Sequence, residues 1–88
     1  MNTAATTIDL APRIRRVLKA HAGLSSDAAA LLPQADLYQA GMTSYASVNV
    51  MLALEGEFDV EFPDQMLTRN VFNSITSIQS ALEELMAA

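Results

Sequence analysis

DLYQAGMTSYASVNVMLALEGEFDVEFPD, residues 36–64, sets a glycine turn, a pair of small hydroxyl side chains and the most apolar helical segment of the chain in direct succession. Val48, Val50, Met51, Leu52, Leu54 and Phe58 cover more than one face at helical spacing. A helix apolar over much of its girth either lies at the centre of a small bundle or lends an apolar face to a partner. Gly41 accepts the positive φ of a sharp turn ahead of that helix, and Pro63 stops continuation beyond the acidic run. The stretch reads as turn, central helix and breaker.

Helices flank it on both sides. Upstream, Leu10, Ile14, Val17, Leu18 and His21 recur at helical spacing, with Thr7 or Asp9 available as N-cap and Pro12 in the first turn, where a missing N–H costs nothing. Gly23 ends this helix near residue 22. Downstream, Ile75, Ile78, Leu82 and Leu85 form a second apolar stripe, with Asn73 or Ser74 as its cap. The segment after Pro63, DQMLTRNVF, has room for a turn or two of helix. Residues 23–43 make a long connection for a compact domain. Leu24, Leu31, Leu32, Leu37 and Tyr38 predict that it lies across the bundle and buries those side chains, with one helical turn around Ala28–Leu32. The expected fold is all-α, a four-helix bundle of three main helices, one short helix and a long first loop. Residues 7–86 form the domain and residues 1–6 a flexible tail.

Composition narrows the chemistry. Eighty-eight residues make one domain with one modest core, and an apolar fraction of 51% with 17% charged residues is that of a folded protein. There is no cysteine, hence no disulfide, thiolate nucleophile or cysteine metal site, and a reducing cytoplasm is the default compartment. The N-terminal sequence lacks the basic flank and apolar run of a signal peptide, and no stretch is long enough to span a membrane. Net charge is −5, with Arg13, Arg15, Arg16 and Lys19 gathered in the first helix and Glu55, Glu57, Asp59, Glu61 and Asp64 in an acidic run read as a solvated face. That distribution disfavours nucleic acid and favours a partner with a basic docking face. The apolar residues are about what one small bundle buries, so a monomer is expected.

Ser44 admits three readings. A serine at a helix start is ordinarily a capping residue. As a nucleophile it would need a base and a group to orient that base. The only histidine, His21, sits on the apolar side of the first helix and reads as a half-buried packing residue or helix C-cap. No G-x-S-x-G elbow, P-loop or metal-ligand cluster is present. As an acceptor for a phosphate-linked group, the serine needs no base of its own, and the free amides of a helix N-terminus suit a phosphodiester.

Residues 36–64 resemble the core of acyl carrier proteins: an opening Asp36-Leu37, Gly41 two residues before the position preceding the serine, Ser44 followed by Tyr45, Leu54-Glu55-x-x-Phe58 at the helix end, and Phe62-Pro63-Asp64. The similarity extends to about residue 86. It implies a four-helix carrier fold in which a phosphopantetheinyl transferase attaches 4'-phosphopantetheine from coenzyme A to Ser44. The arm then carries the reactive thiol, and the protein is a tether without catalytic residues or a metal of its own.

Thr43 stands where aspartate is usual in such carriers, and Tyr45 where leucine is common. Ala46, Asn49 and Gly56 replace carboxylates that fatty-acid carriers turn toward basic enzyme patches, while Glu55 and Glu57 are kept. Within the family the chain is more similar to stand-alone aminoacyl carrier proteins. That resemblance implies loading by an amino acid:carrier protein ligase related to truncated seryl-tRNA synthetases. Acyl carriers of fatty-acid or polyketide synthesis and peptidyl carriers share the same serine and helices. Outside the family, a helical interaction module without a prosthetic group is the alternative. The expected docking surface around Ser44 comprises Met42, Thr43, Tyr45, Ala46, Val48, Asn49 and Leu52, with Val50, Met51 and Leu54 in the core.

Overall fold

The computed structural model describes residues 10–87. The proposed caps Thr7 and Asp9 and the tail 1–6 lie outside the described residues. Four α-helices follow in order: α1 (Ala11–His21), α2 (Ser44–Phe58), α3 (Arg69–Phe72) and α4 (Ile75–Ala87), with single 3-10 turns at Ala28–Ala30 and Asp64–Met66. The described residues contain no strand. This is the expected bundle of three main helices and one short one.

In α1, Pro12 occupies the first turn, and the buried row Ile14, Leu18, Ala22 repeats at four-residue spacing with Val17 beside it. The chain turns inward at Ala22, whose N–H donates to the Leu18 carbonyl, and Gly23 follows at φ 67°. His21 is exposed. The half-buried position expected for it goes to Ala22, the next member of the inward row.

The long loop is tied down by backbone hydrogen bonds. Ser25 N–H donates to the Ala40 carbonyl at 2.9 Å, Leu37 N–H to Asn73 at 2.7 Å, and Thr76 N–H to Pro33 at 3.0 Å. Arg15 donates from Nη1 to the carbonyls of both Ala28 and Leu31 at 2.7 Å, pinning the 3-10 turn to α1. Leu37 is fully buried, and Leu24, Leu31 and Tyr38 are half-buried. Leu32 is 72% exposed. The backbone at Leu31 is extended (ψ 141°), so side chains alternate there; with Leu31 turned inward, its successor must face out.

Helix α2 packs on α1 through Val50, Leu54 and Phe58. Its end is fixed by charges drawn back into the fold. Glu55 Oε2 accepts the Phe62 N–H at 2.8 Å, and Glu57 pairs with Arg13 Nε at 2.8 Å while Arg13 Nη2 reaches the Glu57 carbonyl at 2.7 Å. The Arg13 guanidinium also lies over the Phe58 ring, 4.3 Å from its centroid. Asp59, at φ 54°, closes the helix in a left-handed conformation with its N–H on the Glu55 carbonyl. Glu55 and Glu57 are thus structural members of the acidic run, and Asp59, Glu61 and Asp64 remain exposed.

Beyond the breaker, Phe62 and Phe72 meet edge to face at 5.2 Å, fastening α3 to the segment that follows α2. Ser74 caps α4: its Oγ accepts the Ser77 N–H at 3.1 Å. Ile75, Ile78, Ala81 and Leu82 then complete a core shared with α1 and α3.

Candidate functional site

The turn before α2 is built from Gly41 and Met42. Gly41 has φ 120°, and a Cβ there would lie 3.1 Å from the Ser25 nitrogen and 3.3 Å from the Gly23 carbonyl oxygen. Only glycine lets the two loop strands approach so closely. Met42 donates its N–H to the Leu37 carbonyl at 3.0 Å and is 2% exposed. The expectation that Met42 lies at the docking surface is therefore corrected: it is an apolar anchor under the turn.

Thr43 is the N-cap of α2. It has extended backbone (φ −80°, ψ 165°), and its Oγ1 accepts the Ala46 N–H at 3.0 Å, while its carbonyl accepts the Ser47 N–H at 2.9 Å. The capping role that Ser44 could have filled is thus taken one residue earlier. Ser44 is the first helical residue, exposed, and its hydroxyl has no hydrogen-bond partner among the described residues. Its carbonyl accepts from Ser47 Oγ at 2.6 Å, which stiffens the first turn. The amides of Ser44 and Tyr45 donate to no described residue. At this point the chain presents a free primary hydroxyl, two unused N–H donors and the positive end of a 15-residue helix.

Thr43 explains how a residue other than aspartate serves at this position. Both residue types cap well, but threonine leaves the turn without a negative charge beside Ser44.

The outer face of α2 continues as Tyr45 (80% exposed), Val48 (50%), Asn49 and Leu52 (55%). Ala46 is half-buried, Val50 and Leu54 are core, and Met51 is half-buried. Tyr45 is displayed to solvent. No carboxylate of α2 joins this face, since Glu55 and Glu57 are its only acids and both are engaged in the fold. Beside Ser44 a cleft of about 270 Å³ opens between α2 and α3, lined by Tyr38, Ser44, Ser47, Val48, Met51, Leu67, Thr68, Arg69 and Phe72. The sequence reading missed Leu67, Thr68 and Arg69, because nothing local ties DQMLTRNVF to Ser44; tertiary contacts such as the stacking of Arg69 on Tyr38 and the Leu37–Asn73 hydrogen bond place it there.

Among the described residues, no base lies within hydrogen-bond reach of the Ser44 hydroxyl, and no group of three His, Asp or Glu is placed to hold a metal. No described helix is long and apolar enough to cross a membrane.

Residues 9–79 match the family described as phosphopantetheine attachment site. The aminoacyl carrier protein of Agrobacterium fabrum is 40% identical over 73 residues, spanning 83% of this chain and 88% of its own length. Among solved structures, a carrier protein from Agrobacterium tumefaciens, crystallised with an engineered Bradyrhizobium japonicum glycine:[carrier protein] ligase and ATP, superposes with a TM-score of 0.83 at 38% identity. That match covers 86% of this chain and 99% of the other. The complex of Bradyrhizobium japonicum glycine:[carrier protein] ligase with glycylated carrier protein matches at a TM-score of 0.66 and 34% identity, covering 83% and 99%.

Proposed function

The chain belongs to the family defined by a phosphopantetheine attachment site, and we propose that it carries aminoacyl groups on a 4'-phosphopantetheine arm joined to Ser44. The observation that carries the assignment to Ser44 is the division of labour at the α2 N-terminus: Thr43 caps the helix, which leaves the Ser44 hydroxyl exposed and unbonded.

The surroundings fit the arm. A phosphodiester on Ser44 Oγ meets the unused amides of Ser44 and Tyr45 and the positive end of α2. The arm supplies a terminal thiol, on which an aminoacyl group is held as a thioester, to a chain that has no cysteine. During attachment Ser44 Oγ bonds to the phosphorus nearer the pantetheine, the pyrophosphate P–O bond of coenzyme A breaks and adenosine 3',5'-bisphosphate leaves. With no base beside Ser44 among the described residues, the hydroxyl proton goes to the phosphopantetheinyl transferase. The chain's own part is to hold the hydroxyl outward on a stiffened turn and to present the face that partners read.

Tyr45, Val48, Asn49 and Leu52, with Thr43 and Ala46 at the edge, form that face in our reading. Apolar and aromatic side chains at the centre of a small patch suit a transient partner, and the lack of an α2 carboxylate on this face separates it from carriers that dock by charge. The loading partner is an amino acid:carrier protein ligase, and the ligase found with the relatives makes glycine the first amino acid to test. We place the protein in the cytoplasm as a monomer that meets its partners in turn.

The test is direct. Incubation with coenzyme A and a promiscuous phosphopantetheinyl transferase should add the mass of one phosphopantetheine to the wild-type protein and none to Ser44→Ala. The holo protein, given ligase, ATP and glycine, should gain a glycyl group that hydroxylamine removes. An unchanged mass, or a gain that survives Ser44→Ala, overturns the attachment site; a holo protein charged with fatty acids and with no amino acid overturns the cargo.

A further inference from the structure

Arg69, at the start of α3, differs from the other arginines drawn against the fold. Arg13 is committed to Glu57 and Phe58, and Arg15 to two carbonyls. The Arg69 side chain makes no hydrogen bond or ion pair with any described residue; its guanidinium stacks on Tyr38, 3.8 Å from the ring centroid. Tyr38, Arg69 and Ser44 all line the cleft between α2 and α3, and no carboxylate among the described residues lines it. A guanidinium stacked on a ring is held in place by cation–π attraction while its N–H donors, which lie along its edge, stay available.

We propose that Arg69, held by Tyr38, binds the phosphodiester of the arm and so fixes the direction in which the arm leaves Ser44. The inference rests on Ser44 being the attachment site. The phosphodiester is the one anionic part of the arm, and its bond to Ser44 Oγ anchors it at this cleft. Among the described residues Arg69 is the one cation of the cleft lining, in a chain of net charge −5. Guanidinium and phosphate oxygens match as paired donors and acceptors. Val48, Met51 and Leu67 give the cleft apolar walls beside these polar groups. The amides of Ser44 and Tyr45 hold the anion from the helix side and Arg69 from the α3 side. Arg69 is a positioning residue, because it acts on the tether and never reaches the thioester.

The holo protein, its mass verified, is compared with holo Arg69→Gln, Arg69→Lys and Tyr38→Ala by phosphorus NMR and by the Arg69 Nε–H signal. All four should take up the arm to full mass. In the wild type the phosphorus resonance should be shifted and broadened relative to free phosphopantetheine, and the Arg69 Nε–H signal should move between apo and holo forms. Arg69→Gln should return the phosphorus signal to the free position, Arg69→Lys should keep part of the shift, and Tyr38→Ala should diminish it. Identical phosphorus signals in wild type and Arg69→Gln, with both fully modified and folded, overturn the proposal. Failure of the wild type to gain mass overturns the attachment reading, and the proposal with it.

Discussion

The two ends of α2 use the same kinds of groups in opposite ways. At the C-terminal end every polar group with a nearby partner is committed: Glu55 to the Phe62 amide, Glu57 to Arg13, and the Asp59 N–H to the Glu55 carbonyl. At the N-terminal end a single side chain, Thr43, does the capping, and the Ser44 hydroxyl, the Ser44 and Tyr45 amides and the Tyr45 ring are left without partners among the described residues. One end stabilises the fold. The other is kept open for chemistry that arrives from outside, and its openness is made possible by rigid support below it, in Gly41 and the buried Met42.

If that division is right, the supports of the open end should matter for folding and the open groups should not. The largest effect is expected at Gly41→Ala, where the new methyl meets the backbone of Gly23 and Ser25 at a φ of 120°. A loss of about 1–3 kcal/mol is expected, read from chemical denaturation; a loss below this range would mean that the turn relaxes and does not hold Ser44 in place.

At the closed end, Glu55→Gln tests whether charge matters to the Phe62 anchor. The amide oxygen can still accept the N–H, so the charge-assisted part alone is removed. Since Glu55 is half-buried, about 1 kcal/mol is expected. No change would show that the acid is as replaceable as any surface carboxylate.

A paired substitution separates the two hydroxyls at the open end. Thr43→Ala removes the cap and should lower stability by about 1 kcal/mol, whereas Ser44→Ala should stay within about 0.5 kcal/mol. Only Ser44→Ala should abolish modification. Equal losses of stability at the two positions would mean that Ser44 shares the cap, and would remove the argument for its freedom.

How far the sequence alone reaches is visible at these same residues. The helices were legible because their apolar spacing is regular, and Gly23, Gly41 and Pro12 marked the helix ends by backbone constraints that need no tertiary context. The assignment of the cap was not, because Thr43 and Ser44 are both good caps one residue apart, and only the backbone at Thr43 decides between them. Met42, Leu32 and His21 were misplaced for a related reason: whether an apolar or amphipathic residue faces inward depends on the path of the loop, which hydrogen bonds such as that from Met42 to Leu37 determine over several residues. Glu55 and Glu57 looked like surface charge because their partners, Phe62 and Arg13, are brought in by the fold. The cleft wall at Leu67, Thr68 and Arg69 is a product of tertiary packing alone.

The smallest effect is expected at Asp59, where the closed end still carries strain. Asp59 terminates α2 in the left-handed region at φ 54°, a position that favours glycine because a Cβ crowds the following carbonyl. Aspartate is among the better tolerated side chains there, and the gain from relieving it is partly offset by the greater freedom of glycine in the unfolded chain. Asp59→Gly should therefore raise stability by about 0.5 kcal/mol, a rise of roughly 2–4 °C in Tm for a domain of this size. The substitution leaves the Asp59 N–H bond to Glu55 in place, and it is remote in the helix from Ser44, so the rate of modification should not change. A gain in stability with an altered modification rate would couple the two ends of α2, and the contrast between a closed end and an independent open one would fail.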